Sequence, residues 1–257
     1  MVQFNDWCDP ADTNVGPHPL RLLTCDPALL NTGVAAMAAV VPTHYAAAER
    51  VVGILRRLGK LEAAKYLEGK LPTSKRLRSG ELGEILATEF IAEQSRYQVP
   101  IKRLRWKDHR NMAMRGDDVI GIYKDPQTGG LQFLRTEAKS RVTLSATVVA
   151  EARAGLDKDG GLPSAHALSF ITDRLAELGN DALADAILDV QLKHGIQPQS
   201  VSHLLFTFSG NNPNAHLARA LQSYSGGIAQ WSVGLRIEGH TAFVAAVYDM
   251  VIANANR

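Results

Sequence analysis

Three short acidic stretches carry the residues of this chain whose types and spacing could do chemistry. Ser79-Gly80-Glu81-Leu82-Gly83-Glu84 offers two acids three residues apart, and Arg115-Gly116-Asp117-Asp118 puts two acids at the head of an apolar run. Thr136-Glu137-Ala138-Lys139-Ser140 sets an acid and a lysine two residues apart. Side chains alternate along a strand, so Glu137 and Lys139 share a face with Arg135; Asp118 sides with Ile120 and Ile122, and Asp117 with Val119. Carboxylates from Asp118 and Glu137, with the Ala138 carbonyl, are the hard oxygen donors that magnesium takes while keeping several waters. Such an ion acidifies water and neutralises charge on a phosphate. A lysine point charge two residues on suits the attacking water or the crowded phosphorus. The chemistry expected is phosphodiester cleavage with magnesium (or manganese) as cofactor.

Each motif alone has a plainer explanation. A Glu-x-Lys pair on a strand is often a surface ion pair contributing under ~1 kcal/mol. Glu81, two residues past a Ser79 cap, is accounted for by the positive end of a helix. Glu84 is not, and is preferred. Asp117 suits a turn, whereas Asp118 leads directly into Val119-Ile120-Gly121-Ile122 and is the preferred ligand. The order and spacing of the set, more than any one motif, point to a site.

Placing these groups together requires particular elements. Residues 118–124 and 131–139 flank Asp125-Pro126-Gln127-Thr128-Gly129-Gly130, a loop of turn formers, and predict a hairpin. Residues 79–94 predict a helix with Ser79 as N-cap and Leu82, Ile85, Leu86 and Phe90 as its buried stripe. Residues 101–106 read as a basic strand, and 144–154 as a helix capped near Thr143 and stopped by Gly155. Two acidic amphipathic helices follow at 163–178 and 181–193, suited to docking a partner or repelling DNA. Beyond them lie a buried strand at 202–209, a helix at 215–223, and strand-like runs at 230–237 and 241–251. Upstream, 19–25 reads as a strand, 27–45 as an Ala-rich segment interrupted by Gly33 and Pro42, 46–58 as a helix ended by Gly59, and 61–67 as a further helical turn.

The resulting core order is helix, strand, strand, strand, helix, strand, an α/β (α+β) fold in one domain, 1–257. It divides into a mostly helical 1–74, a core at 75–210 with a helical insertion at 163–193, and a C-terminal α/β extension at 211–257. At 46% apolar and 21% charged the composition is that of a globular protein. No run approaches ~20 apolar residues, so no membrane span is expected. The N-terminus lacks a signal-peptide pattern, and a cytoplasmic location is expected. Cys8 and Cys25 give neither zinc spacing nor a disulfide framework and read as buried or idle thiols.

The net charge of +2 conceals an asymmetry: bases outnumber acids about two to one over 56–115, and the ratio reverses over 151–193. A polyanion would be drawn to the first stretch. Arg78, Arg103, Arg105, Lys107, Arg110, Arg115 and Arg141, with Lys75, Arg76 and Lys102, are candidates for holding DNA phosphates. Trp106 is either a base-stacking residue or a core tryptophan.

The arrangement resembles the PD-(D/E)XK nuclease superfamily, whose αβββαβ restriction-endonuclease-like core has the order derived above. The helix acid corresponds to Glu84 (or Glu81), the strand acid to Asp118 (or Asp117), and the Glu-x-Lys to Glu137 and Lys139. No proline precedes the strand acid here; Gly116 and Asp117 stand in that place. The fuller wording, Arg78 to Glu84, Arg115 to Gly121 and Glu137 to Ser140, is similar to one family within it, HamA, the nuclease subunit of Hachiman anti-phage defence. The similarity concentrates in residues 75–145. It implies a DNA endonuclease or nickase working with a superfamily 2 helicase (HamB-like) subunit. The rival implication is a catalytically inactive nuclease fold that binds DNA or serves as a scaffold.

Overall fold

The structure, a computed structural model, describes residues 2–256. It opens with an antiparallel hairpin, β1 (Cys8–Val15) and β2 (His18–Cys25). Gly16, at φ +59°, takes the first position of a two-residue turn whose twist suits the flanking strands. Sequence patterning found only the second strand, because β1 is exposed along most of its length and shows no apolar alternation. Cys8 faces Cys25 across the hairpin, and both thiols are buried and free.

The interruption expected within 27–45 does not occur: α1 (Leu30–Tyr45) is continuous. Gly33 is there for packing, since a Cβ would come within 2.5 Å of the Trp7 ring. Helices α2 (Ala48–Leu58) and α3 (Lys60–Lys70) follow, broken at Gly59 with φ +89°. Next comes α4 (Lys75–Gln94), which starts four residues before Ser79, so Ser79 lies inside the helix and Ser74 at its cap position. The Ser79 hydroxyl is instead 2.8 Å from that of Ser140. Its expected stripe is correct: Leu82, Ile85, Leu86 and Phe90 are fully buried, each contributing about 1.5–3 kcal/mol by apolar burial.

The strand expected at 101–106 is absent. Residues Arg103–Trp106 form a 3-10 turn that buries Leu104 in the main core, while Ile101, just before it, is buried in a separate cluster. The expected hairpin is present as β3 (Val119–Lys124) and β4 (Leu131–Arg141). Its loop is closed by Asp125, whose carboxylate accepts from the amides of Gln127 and Thr128 at 2.8 and 3.1 Å. Helix α5 (Ala146–Asp157) is capped by Ser145, not Thr143, and runs through Gly155. Then come α6 (Ala165–Glu177), α7 (Asp181–Asp189), β5 (Val201–Ser209), α8 (Asn214–Gln222) and β6 (Ala229–Arg236). The last strand expected, at 241–251, is a helix, α9 (His240–Ala255). Its β-branched and aromatic content suggested a strand, but the buried set His240, Phe243, Val244, Val247, Tyr248 and Val251 recurs at helical spacing.

One mixed sheet, in the order β1-β2-β6-β5-β4-β3, runs through N-terminal, central and C-terminal segments. Its four middle strands are parallel, and both edge pairs are antiparallel. Leu204, Phe206 and Phe208 of β5 face a core shared with α1, α4 and α9, while Leu205 faces α5 and α8. Beyond β3, Ile120, Ile122 and Phe133 pack on α6 and α7. The mixed α/β class is as expected. No helix among the described residues is long and apolar enough to cross a membrane.

Candidate active site

The site lies where β4 outruns its partner. The β3 ladder ends at Val119 opposite Thr136, while β4 continues to Arg141. Asp118 stands at that step. Its Oδ2 accepts from the Ala138 amide at 2.9 Å, standing in for the missing strand. Asp118 is close enough to Glu137 for its charge to add to the burial that raises that carboxyl, while its own oxygens are held by the Ala138 amide and by Arg103. The amide and carbonyl of one strand residue point to the same edge, so the Ala138 carbonyl faces this step too. Glu137 accepts a hydrogen bond from the ammonium of Lys139 on the same strand face. Helix α5 passes over them with Gly155 against the Glu137 carboxylate, where a Cβ would sit at van der Waals distance, 3.4 Å.

Glu84 approaches from the opposite layer, on α4. Close contact between α4 and β4 is permitted by Gly83, where a Cβ would come 3.1 Å from that of Ser140. Arg103 joins the two acids: its Nη2 lies 2.8 Å from Glu84 Oε2 and 3.0 Å from Asp118 Oδ1. Its Nε donates to Glu84 at 3.0 Å and its Nη1 to the Asp117 carbonyl at 2.8 Å. Burial pushes the Glu84 carboxyl up to about 8; the Arg103 charge opposes this and the Asp118 charge adds to it. Burial and then the Asp118 charge raise the Glu137 carboxyl, with Lys139 opposing.

The alternative acids are held elsewhere. Asp117 accepts from Arg135 Nε at 2.7 Å and from the Ser164 amide at 2.9 Å, fastening β4 to the start of α6. Glu81 is buried, accepting from Lys107 and, at 2.7 Å, from the Tyr45 hydroxyl, which itself meets Tyr248 at 2.9 Å. Burial raises its carboxyl despite both donors.

Of the basic candidates, most are engaged within the protein. Arg78 donates to the Pro72 carbonyl at 2.8 Å and lies over the Tyr248 ring. Arg105 donates to the Thr43 carbonyl at 2.8 Å, and Arg110 to that of Glu68 at 3.2 Å. Arg115 and Arg141 are exposed near the acids. Sequence reasoning missed the role of Arg103 because its position on a supposed basic strand gave no hint of two acidic partners. It also missed the Arg135–Asp117 pair, although the alternation that puts Arg135 on the Glu137 face was visible.

Among the described residues no three His, Cys, Asp or Glu side chains stand together as a metal cage. The donors at the step are two carboxylates and a carbonyl, a set that fits magnesium, which binds through one or two carboxylates and retains water. Their mutual repulsion, visible in the raised Glu137, is what a cation relieves.

The elevated Glu84 has a measurable consequence. Between pH 6.5 and 8 the folded protein keeps a Glu84 proton that the unfolded chain, with an ordinary value of 4.5, has already released. Stability of the metal-free protein should therefore fall as pH rises across that window. Buried His44, His203 and His240, pushed down to about 4 from 6.5, add stability with rising pH only below it. Thermal melts in EDTA should show the decline, and Glu84→Gln should flatten it.

A mixed α/β protein gathering an Asp, a Glu-x-Lys and a helix acid at one sheet step is the class these observations define. A family model described as HamA matches residues 1–251, and the chain belongs to the HamA family. The Hachiman protein HamA of Bacillus cereus is 28% identical over 199 residues, covering 77% of this chain and 70% of that relative. The family match takes in the N-terminal hairpin and most of α9 as well as the acidic core.

Proposed function

We propose that the protein is a magnesium-dependent DNA endonuclease of the PD-(D/E)XK type, the effector of a Hachiman anti-phage defence system. The observation that supports this most is Asp118 bound to the Ala138 amide between Glu137 and Lys139, where β4 runs on past β3. Asp118, Glu137 and the Ala138 carbonyl would hold the ion, whose contribution is to neutralise phosphate charge and acidify water. Lys139 orients the attacking water and stabilises charge at the phosphate. Glu84, protonated in part at neutral pH, can hand a proton across the site or join the carboxylates once Arg103 moves. A superfamily 2 helicase as the partner that restrains or licenses the nuclease rests on family resemblance. The test is nicking of supercoiled plasmid in magnesium against EDTA, with and without that subunit. Absence of metal-dependent nicking under every partner condition overturns the reading.

One observation favours the inactive scaffold: Arg103 and Lys139 between them already engage all three acids. The nuclease reading treats Arg103 as a counter-cation that a metal displaces. Arg103→Met should then lower the melting temperature in EDTA, leaving two carboxylates unpaired, and enlarge the stabilisation given by manganese. A scaffold would lose stability without gaining any response to metal. Differential scanning fluorimetry distinguishes the two.

A further inference from the structure

A cavity of about 620 Å³ opens beside the acids, with Glu84, Arg103 and Asp118 at one end. Its lining also holds Ile101, Ile120 and Ile171, which continue the core against which Trp106 and Phe170 pack, together with the charged Lys102, Lys107 and Asp108. The two rings meet edge to face at 6.2 Å. Arg174 lies over both, 6.0 Å from the Trp106 ring centre and 5.5 Å from that of Phe170. Trp106 and Phe170 are partly exposed, and Arg115, on the wall nearest the acids, is exposed. The combination is specific: apolar and aromatic walls, a guanidinium plane, and, continuous with them, the acidic step at which a cation would hold a phosphate.

We propose that this cavity receives the base of an unpaired nucleotide whose phosphate lies at the acidic step, so that the protein engages single-stranded or locally opened DNA. This rests on the nuclease reading and adds the form of the substrate. A space of this size admits one nucleoside and excludes a stacked base pair with its backbones. Base faces stack on aromatic rings whatever the sequence, each contact contributing about 1–3 kcal/mol. The Arg174 guanidinium offers a second stacking plane. Arg115, exposed on the same cavity lining, would pair with a neighbouring phosphate of the strand.

The test is binding, measured with calcium in place of magnesium so that the carboxylates carry a cation while cleavage is suppressed, by fluorescence anisotropy of three probes. These are a labelled dT20 strand, an abasic strand of equal length and a 20-base-pair duplex. The wild type should prefer dT20 to the abasic strand. Trp106→Ala and Phe170→Ala should each weaken dT20 binding about tenfold, within the range expected for one lost stacking contact. Neither should weaken abasic-strand or duplex binding, and Trp106→Phe should retain most of the affinity. Equal weakening of all three probes would show a merely structural role and overturn the proposal, as would unchanged dT20 binding. The Glu137→Ala variant, assayed in parallel for nicking in magnesium, keeps the two readings apart. If it abolishes nicking while the aromatic variants bind normally, the cavity proposal alone falls. If wild type neither binds nor nicks DNA, both fall.

Discussion

Glu137→Ala and Lys139→Ala should each reduce magnesium-dependent plasmid nicking by at least about a hundredfold to a thousandfold, the loss typical when one preorganised electrostatic group is removed. Their effect on folding should be small by comparison. Both side chains are about a fifth exposed, at 21% and 23%, and either can hydrate when its partner is lost. Glu137→Ala also removes a carboxylate that Asp118 repels, so its melting temperature in EDTA should not drop. Plasmid nicking alongside thermal melts checks both halves. A variant keeping more than a tenth of wild-type nicking would remove that residue from the catalytic set.

The neighbouring aspartates should separate in the opposite sense. Asp117 and Arg135 are only 6% and 5% exposed. The Arg135 guanidinium also donates to the carbonyls of Leu156, Lys158 and Leu162 at 3.2, 2.6 and 2.7 Å. Asp117→Ala leaves that buried cation with only the largely exposed Asp159, 4.0 Å away, and the Ser164 amide without an acceptor, a loss of roughly 3–5 kcal/mol. For a chain of this length each kcal/mol lowers the melting temperature by about 2–4 °C, so a fall of order 10 °C is expected. Asp118→Ala forfeits the Ala138 hydrogen bond and one of the two acids on Arg103, which keeps Glu84, a loss of about 1–3 kcal/mol, yet should abolish manganese binding by paramagnetic resonance. Metal binding lost in Asp117→Ala and kept in Asp118→Ala would reverse the assignment.

What could be read from sequence was local. The β3–β4 hairpin was legible because its loop is made of turn formers, and β5 because its apolar run is bounded and short. The Glu-x-Lys face followed from strand alternation alone. What escaped depended on distant partners. Arg103 and Lys107 looked like members of one basic run, but each answers to a different acid on α4, 19 and 26 residues upstream. Glu81 looked like a helix-end residue because the start of α4 was placed four residues late; inside the helix it needs the burial, tyrosine and lysine it has. For α9, amino-acid type and spacing gave opposite answers, and spacing corresponded to the structure.

An unpaired stretch of strand is ordinarily a hazard, since its free amides and carbonyls invite another chain to add on. The overhang of β4 beyond β3 is such a stretch, and Asp118 occupies its Ala138 amide. The proposed metal ligand therefore also satisfies a backbone donor at that edge. Asp118→Ala would free that amide at the same place where it removes the proposed chemistry, a consequence that Glu137 variants do not share.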